Sequence, residues 1–103
     1  MFELYRGKSK RLTVAVTAGG RAFKLTGYTA RLNARKALRG TVVTTWSGAI
    51  PDPPSGVITF LLGPQDTQAL ALGNYVFDIE ICQEGWEEVI LSGEFRLRGA
   101  VKT

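Results

Sequence analysis

Apolar and polar residues alternate along most of this chain with a period of two, and that spacing predicts β-strands. From Arg11 to Thr17, Leu12, Val14 and Val16 fall on one face, while Arg11, Thr13 and Thr17 fall on the other. Gly19-Gly20 reads as a turn. After Gly27, Tyr28, Ala30, Leu32 and Ala34 share one face, and Thr29, Arg31, Asn33 and Arg35 share the opposite one. Gly40 breaks that run, and Thr41 to Trp46 is β-rich enough to be the next strand. Gly48 to Pro54 contains Pro51, Pro53 and Pro54, so it is expected to be a loop, or an edge that refuses pairing.

The stretch from Ser55 to Ile81 is the most informative. Gly56 to Leu62 is a strand with Ile58, Phe60 and Leu62 on one face. Pro64 suits the first position of a short helix, where its missing N–H removes nothing. Asp66 then sits in the first turn, facing the positive end of the dipole. The helix is expected over 64–71, with Gly73 ending it. Asn74 to Gln83 alternates most cleanly, with Tyr75, Phe77, Ile79 and Ile81 pointing in and Asn74, Asp78 and Glu80 pointing out. Glu84-Gly85 predicts a tight turn into Trp86 to Leu91. Ser92-Gly93 reads as a bulge in the returning strand, after which Phe95 and Leu97 face in.

About seven short strands with turns every 8–12 residues predict an all-β, immunoglobulin-like antiparallel β-sandwich with one short helix near 64–71. Leu72-Gly73-Asn74-Tyr75 fits a tyrosine corner, in which the hydroxyl bonds back to nearby backbone. Phe77 stands where antibody domains carry a cysteine, so aromatic packing is expected in place of a disulfide. The length, 103 residues, predicts one domain spanning 1–103.

Composition narrows the chemistry. There is no histidine, which removes the commonest general base and metal ligand. Cys82 is the single cysteine, so no intrachain disulfide can form, and a reducing compartment is expected. The first residues lack the apolar core of a signal peptide, and no apolar run is long enough to span a bilayer, so no membrane role is expected. The net charge of +4 conceals an asymmetry: residues 1–40 carry ten Lys/Arg against Glu3 alone, while residues 41–103 carry three against eight Asp/Glu. Either strands from the two halves lie side by side and neutralise each other, or the basic half meets a partner with an acidic face. Nucleic acid is not expected, because the basic strands lack interleaved exposed aromatics.

No polar cluster makes a persuasive catalytic site. The serines at 9, 47, 55 and 92 lie beside no base. Asp78 and Glu80 share the outer face of one strand. They are expected to be solvated, or paired with arginines such as Arg31 and Arg35, rather than to act as an acid–base pair. Glu84, Glu87 and Glu88 lack the alternating oxygen spacing of a calcium loop and read as an exposed hairpin tip. No metal or cofactor is expected. Cys82 is expected to be half-exposed and inert. Trp46 is expected to be core. Trp86 is divided between core edge and interface, and either tryptophan could serve as a sugar-stacking platform.

Several segments together resemble a known family. Gly27-Tyr28-Thr29-Ala30-Arg31-Leu32, Ser55-Gly56-Val57-Ile58-Thr59-Phe60, Asp66-Thr67, Gly73 to Ile81 and Ser92 to Leu97 appear in the order seen in the small immunoglobulin-like domains of tailed-phage structural proteins. The chain resembles the N-terminal domain of the phage baseplate upper protein family over nearly its whole length, 9–101. The resemblance implies a non-enzymatic virion protein, made in the host bacterial cytoplasm and present in several symmetric copies. It would act as an assembly adaptor of the tail or baseplate, with other phage structural proteins as partners. In that family the domain heads a longer chain. Here the sequence ends at Thr103, which points to a small stand-alone component. The alternatives are a capsid decoration or neck protein of the same fold, or a carbohydrate-binding module on the host-contact side. The candidate docking residues are Arg31, Arg35, Lys36, Arg39 and Trp86.

Overall fold

A computed structural model describes residues 2–37 and 39–99. Among these residues nine strands form: β1 (Phe2–Tyr5), β2 (Lys10–Ala15), β3 (Thr17–Ala18), β4 (Arg21–Ala22), β5 (Thr29–Arg35), β6 (Val42–Ala49), β7 (Val57–Leu62), β8 (Gly73–Gln83) and β9 (Trp86–Arg98). A 3-10 turn occupies Pro53–Ser55, and a single α-helical turn, α1, occupies Pro64–Gln68. Seven strands make one sheet in the order β1-β9-β8-β5-β6-β7-β2, and β3 and β4 pair as a small separate ribbon.

This sheet curls into an all-β sandwich that approaches a barrel. In a flat sheet β6 and β9 would lie three spacings apart, about 14 Å. Instead Trp46 on β6 meets Phe95 on β9 edge-to-face, with ring centroids 6.4 Å apart. The fold-over is made at β6 and β7, which share only two paired positions, Gly48↔Phe60 and Ala49↔Thr59. A Cβ on Gly48 would lie 2.8 Å from both Ile58 Cγ2 and Phe60 Cε1, so only glycine lets the two strands close over the core there.

The period-two pattern places the core as expected. Leu32 and Ala34 of β5, Ile58, Phe60 and Leu62 of β7, Tyr75, Phe77, Ile79 and Ile81 of β8, and Phe95 and Leu97 of β9 are all buried. Trp46 is buried too. Phe95 is the aromatic hub, stacked on Tyr75 at 5.0 Å and on Phe2 at 5.1 Å. The tyrosine corner forms: Tyr75 Oη donates to the carbonyl of Ala71.

Four local expectations are corrected. The sheet is mixed, because β1 pairs with β9 in parallel, Phe2↔Phe95 to Tyr5↔Arg98. A four-residue strand is too short to show its period in sequence, and its burial comes from neighbours remote in the chain. Strand β6 runs on through Gly48 and Ala49 because β7 supplies hydrogen-bond partners there. The helix ends at Gln68 rather than near 71, and Gly73 opens β8 instead of capping α1. The bulge on β9 lies at Ile90, which has no partner between Val89↔Glu80 and Leu91↔Ile79, whereas Ser92 and Gly93 pair in register with Asp78 and Phe77.

Short as it is, α1 is tied at both ends. The Gly63 N–H donates to Asp66 Oδ2 at 2.8 Å, closing the first turn. Thr67 is fully buried and its hydroxyl accepts the Gly7 N–H at 3.3 Å. The Arg6 guanidinium donates to the carbonyl of Leu70. The connection that carries the tyrosine corner is thereby fastened to the β1–β2 loop.

Candidate functional site

The outer face of β5 and β8 concentrates charge, and the strand register explains why. Antiparallel pairing sets Arg31 opposite Glu80 and Asn33 opposite Asp78. On β5, residues 31, 33 and 35 share the outer face by the same alternation that buries Leu32 and Ala34. Arg31 Nε donates to Glu80 Oε1, and Arg31 Nη2 lies 3.5 Å from Glu87 Oε2 on β9. Arg35 Nη1 pairs with Asp78 Oδ2 on the diagonal. Asn33 ties the two pairs together: its Nδ2 donates to Asp78 Oδ1 and Glu80 Oε1, both at 3.0 Å, and its Oδ1 accepts from Thr45 Oγ1 at 2.9 Å. The side chains of Glu80 and Asp78 are 13% and 19% exposed, so this is a half-buried network rather than a set of mobile surface pairs. The Glu80 hydrogen bond, and after it the Glu80 charge, push the Arg31 guanidinium up from its usual value.

Such an array is a half-buried, hydrogen-bonded polar plate. It presents two guanidinium groups to three carboxylates, with no histidine, and the Thr45 hydroxyl donates to an amide oxygen rather than to a base, so these groups make no nucleophile–base pair. Cys82 is half-buried beside it, and desolvation raises its thiol pKa, with Glu80 and Glu87 adding and Arg31 opposing. A thiol of that kind stays protonated at neutral pH. Among the described residues, no three acidic or thiol side chains are grouped so as to hold a metal ion.

The five residues singled out from sequence do not form one patch. Arg31 and Arg35 belong to the plate. Lys36 and Arg39 are exposed just beyond the end of β5, and Lys36 Nζ sits 4.4 Å from the Tyr75 ring centroid. Trp86 is 55% exposed at the β8–β9 hairpin, which lies at the other end of the sheet, near Thr29. Its Nε1 donates to Glu88 Oε1 at 3.2 Å. The neutralisation of the basic half by the acidic half is real for Arg31 and Arg35. Among the described residues, no ion pair involves Lys8, Lys10, Arg11, Arg21 or Lys24.

Asn33 and Thr45 were not singled out from sequence, and Glu87 was read only as part of an exposed hairpin tip. Asn33 carried a usable signal, a short amide at an outward position between two arginines. Its role as hub depends on β8 lying on one side of β5 and β6 on the other.

The family model described as the BppU N-terminal domain matches residues 3–98. Among solved structures, the chain is similar to the N-terminal domain of phage TP901-1 ORF48, with a TM-score of 0.59 and 12% identity. That alignment covers 96% of this chain and 83% of the other, and at such identity it speaks for the fold alone. No curated protein matches this chain.

Proposed function

Since the chain belongs to the family of BppU, baseplate upper protein, N-terminal domains and is thereby a phage tail or baseplate structural protein, we propose that it works there as a non-enzymatic assembly adaptor, in several symmetry-related copies. The observation that carries this reading is the division of surface charge. Residues 6–11 contain Arg6, Lys8, Lys10 and Arg11 and no acid, at the sheet's β2 edge. Residues 84–94 contain Glu84, Glu87, Glu88 and Glu94 and no base, on β9 and its turn. A domain with opposite charge on separate surfaces is oriented on approach, and complementary patches raise association rate and fix register.

The docking residues divide accordingly. Lys36, Arg39 and Trp86 are exposed and offer direct contacts, with Trp86 the aromatic anchor. Arg31 and Arg35 act by holding the plate flat, and Arg31, the more exposed, adds a contact at its margin. Synthesis in the bacterial cytoplasm followed by incorporation into the particle fits a chain with one cysteine and no disulfide.

The test is quantitative mass spectrometry of purified particles, with immunogold labelling to locate the protein. A small symmetric copy number at the tail tip is expected. Absence from particles sinks the reading, and hundreds of copies on the head would establish a decoration role instead. The exposed Trp86 ring also favours a second reading, a carbohydrate platform, whereas buried Trp46 cannot serve as one. Glycan-array binding abolished by Trp86→Ala would establish that reading. Silence on glycans, with retention in particles, leaves the adaptor.

A further inference from the structure

The two ends of the curled sheet face each other across an open groove of about 500 Å³. One wall is Val14–Ala18, at the end of β2 and in β3. The other is Glu88–Leu91 of β9, and Phe23 and Ile81 complete the lining. In a flat sheet β2 and β9 would stand five spacings apart, about 24 Å, so only the curl brings them to one groove. The β9 wall is an unpaired strand edge, whereas the other wall is open only along β2, since Thr17 and Ala18 pair with β4 and Val16 is bonded to Gly56 and Phe23. Among the described residues β2 pairs only with β7, and β9 pairs with β1 only from Phe95 onward.

The bulge at Ile90 shapes this site. Trp86 and Glu88 lie opposite Gln83 and Ile81 on the core-facing side of β9. Strict alternation would then place Ile90 inward and Leu91 outward. The extra residue shifts the phase, so that Leu91 faces the core side opposite Ile79. Leu91 is nevertheless 44% exposed, because nothing covers it at the groove. Val14 and Val16 are also only half-buried. Glu88 is the one charged residue of the lining, held by the Trp86 indole and flanked in sequence by Glu84 and by Glu87, of which Glu87 lies 3.5 Å from Arg31 Nη2.

We propose that this groove receives an extended basic segment of another tail component, which adds as a strand to the open edge of β9 and closes the sheet towards β2. Backbone hydrogen bonds to the edge would supply affinity, and alternate apolar side chains entering beside Val16, Ile81 and Leu91 would supply register. A Lys or Arg of the segment would meet Glu88. The walls are four to five residues long, about 13 to 16 Å of strand, which sets the length of the inserted part. The inference rests on the adaptor reading for the source of the segment, and it deepens that reading by naming the surface and the chemistry.

The test uses the 103-residue chain with a synthetic peptide of sequence KSKRLTVAV, that of residues 8–16, which has the required basic head and apolar alternation. A control peptide carries Glu at its three basic positions. The basic peptide is expected to bind saturably and to slow amide exchange at 14–18 and 88–91. The acidic peptide should bind at least tenfold more weakly. Glu88→Lys and Leu91→Lys should each weaken the basic peptide about tenfold without changing the thermal melt. Should Leu91→Lys fail to fold, the exposed Glu88→Lys and the peptide pair still decide. Equal binding of both peptides, or protection elsewhere, overturns the proposal. So does a dimer of the chain alone that protects the same residues, since a second copy would then be the occupant. Failure here alongside presence in purified particles removes the groove and leaves the adaptor standing.

Discussion

The hydroxyl of Tyr75 donates to the carbonyl of Ala71 at 2.6 Å, four residues back along the chain. Tyr75 is 2% exposed and stacks on Phe95, so the bond fastens the α1–β8 connection to the aromatic centre of the core. It also fixes where β8, the strand that carries Asp78 and Glu80, begins.

Tyr75→Phe keeps the ring and deletes the bond. Ala71 is exposed, so water can take the place of the hydroxyl at its carbonyl. The expected loss is about 1 kcal/mol of unfolding free energy. Urea unfolding checks it, and an unchanged midpoint would show that the corner contributes nothing.

The same hydroxyl makes stability depend on alkaline pH. Desolvation raises its pKa, with Arg6 opposing, so the folded state holds the proton more tightly than the unfolded chain. That contribution is complete below the ordinary tyrosine value near 10 and is lost as pH rises through it towards the folded value. The stability gap between the native chain and Tyr75→Phe should therefore narrow above about pH 10. A gap that is constant or widens from pH 8 to 11 contradicts the assignment.

Within the charged plate, the neutral hub should matter more than the exposed charge. Asn33 is 8% exposed and serves three partners, so Asn33→Ala should destabilise by about 1–3 kcal/mol. The Arg31 side chain is 42% exposed, and Arg31→Ala should lose less than Asn33→Ala. Thermal melts of both variants test the order, and the reverse order would mean that the Arg31–Glu80 pair carries the plate.

Much of this was legible in sequence, and the exceptions are instructive. The alternation in β5 and β8 identified which residues face out, and the charge asymmetry suggested that they meet. The sequence offered pairing of Asp78 and Glu80 with Arg31 and Arg35 beside plain solvation, and only the placing of β8 next to β5 selects the pairing. The parallel β1 and the bulge at Ile90 left no local signal, since a neighbouring strand decides both.

Two glycines should resist substitution for different reasons. Gly48→Ala would drive a methyl to within 2.8 Å of Ile58 and Phe60. Gly56 has φ +73°, and a Cβ there would lie 2.6 Å from the Val16 carbonyl oxygen. Each variant should lose about 3 kcal/mol. Unchanged melting of the Gly48 variant would contradict the close approach of β6 and β7, and unchanged melting of the Gly56 variant would contradict the approach of that turn to Val16 and Phe23.

Cys82 should react slowly with iodoacetamide at pH 7, more slowly than free cysteine, and faster as pH rises. The cause is desolvation at its half-buried position. A rate at pH 7 equal to that of free cysteine would show that the thiol is not held in this way.

By itself the sequence determined the class of the fold, the inward and outward faces of each long strand, the tyrosine corner and the absence of a disulfide. Each of these follows from local properties: period, backbone preference, or a count of one residue type. The tertiary structure alone decided the strand order, the curl at Gly48, the pairing of Arg31 and Arg35 with their carboxylates, and the groove between β2 and β9. The physical reason is range. Side-chain alternation is set by the chain's own geometry, whereas pairing and closure are set by which distant strands compete best for the same edge and the same core.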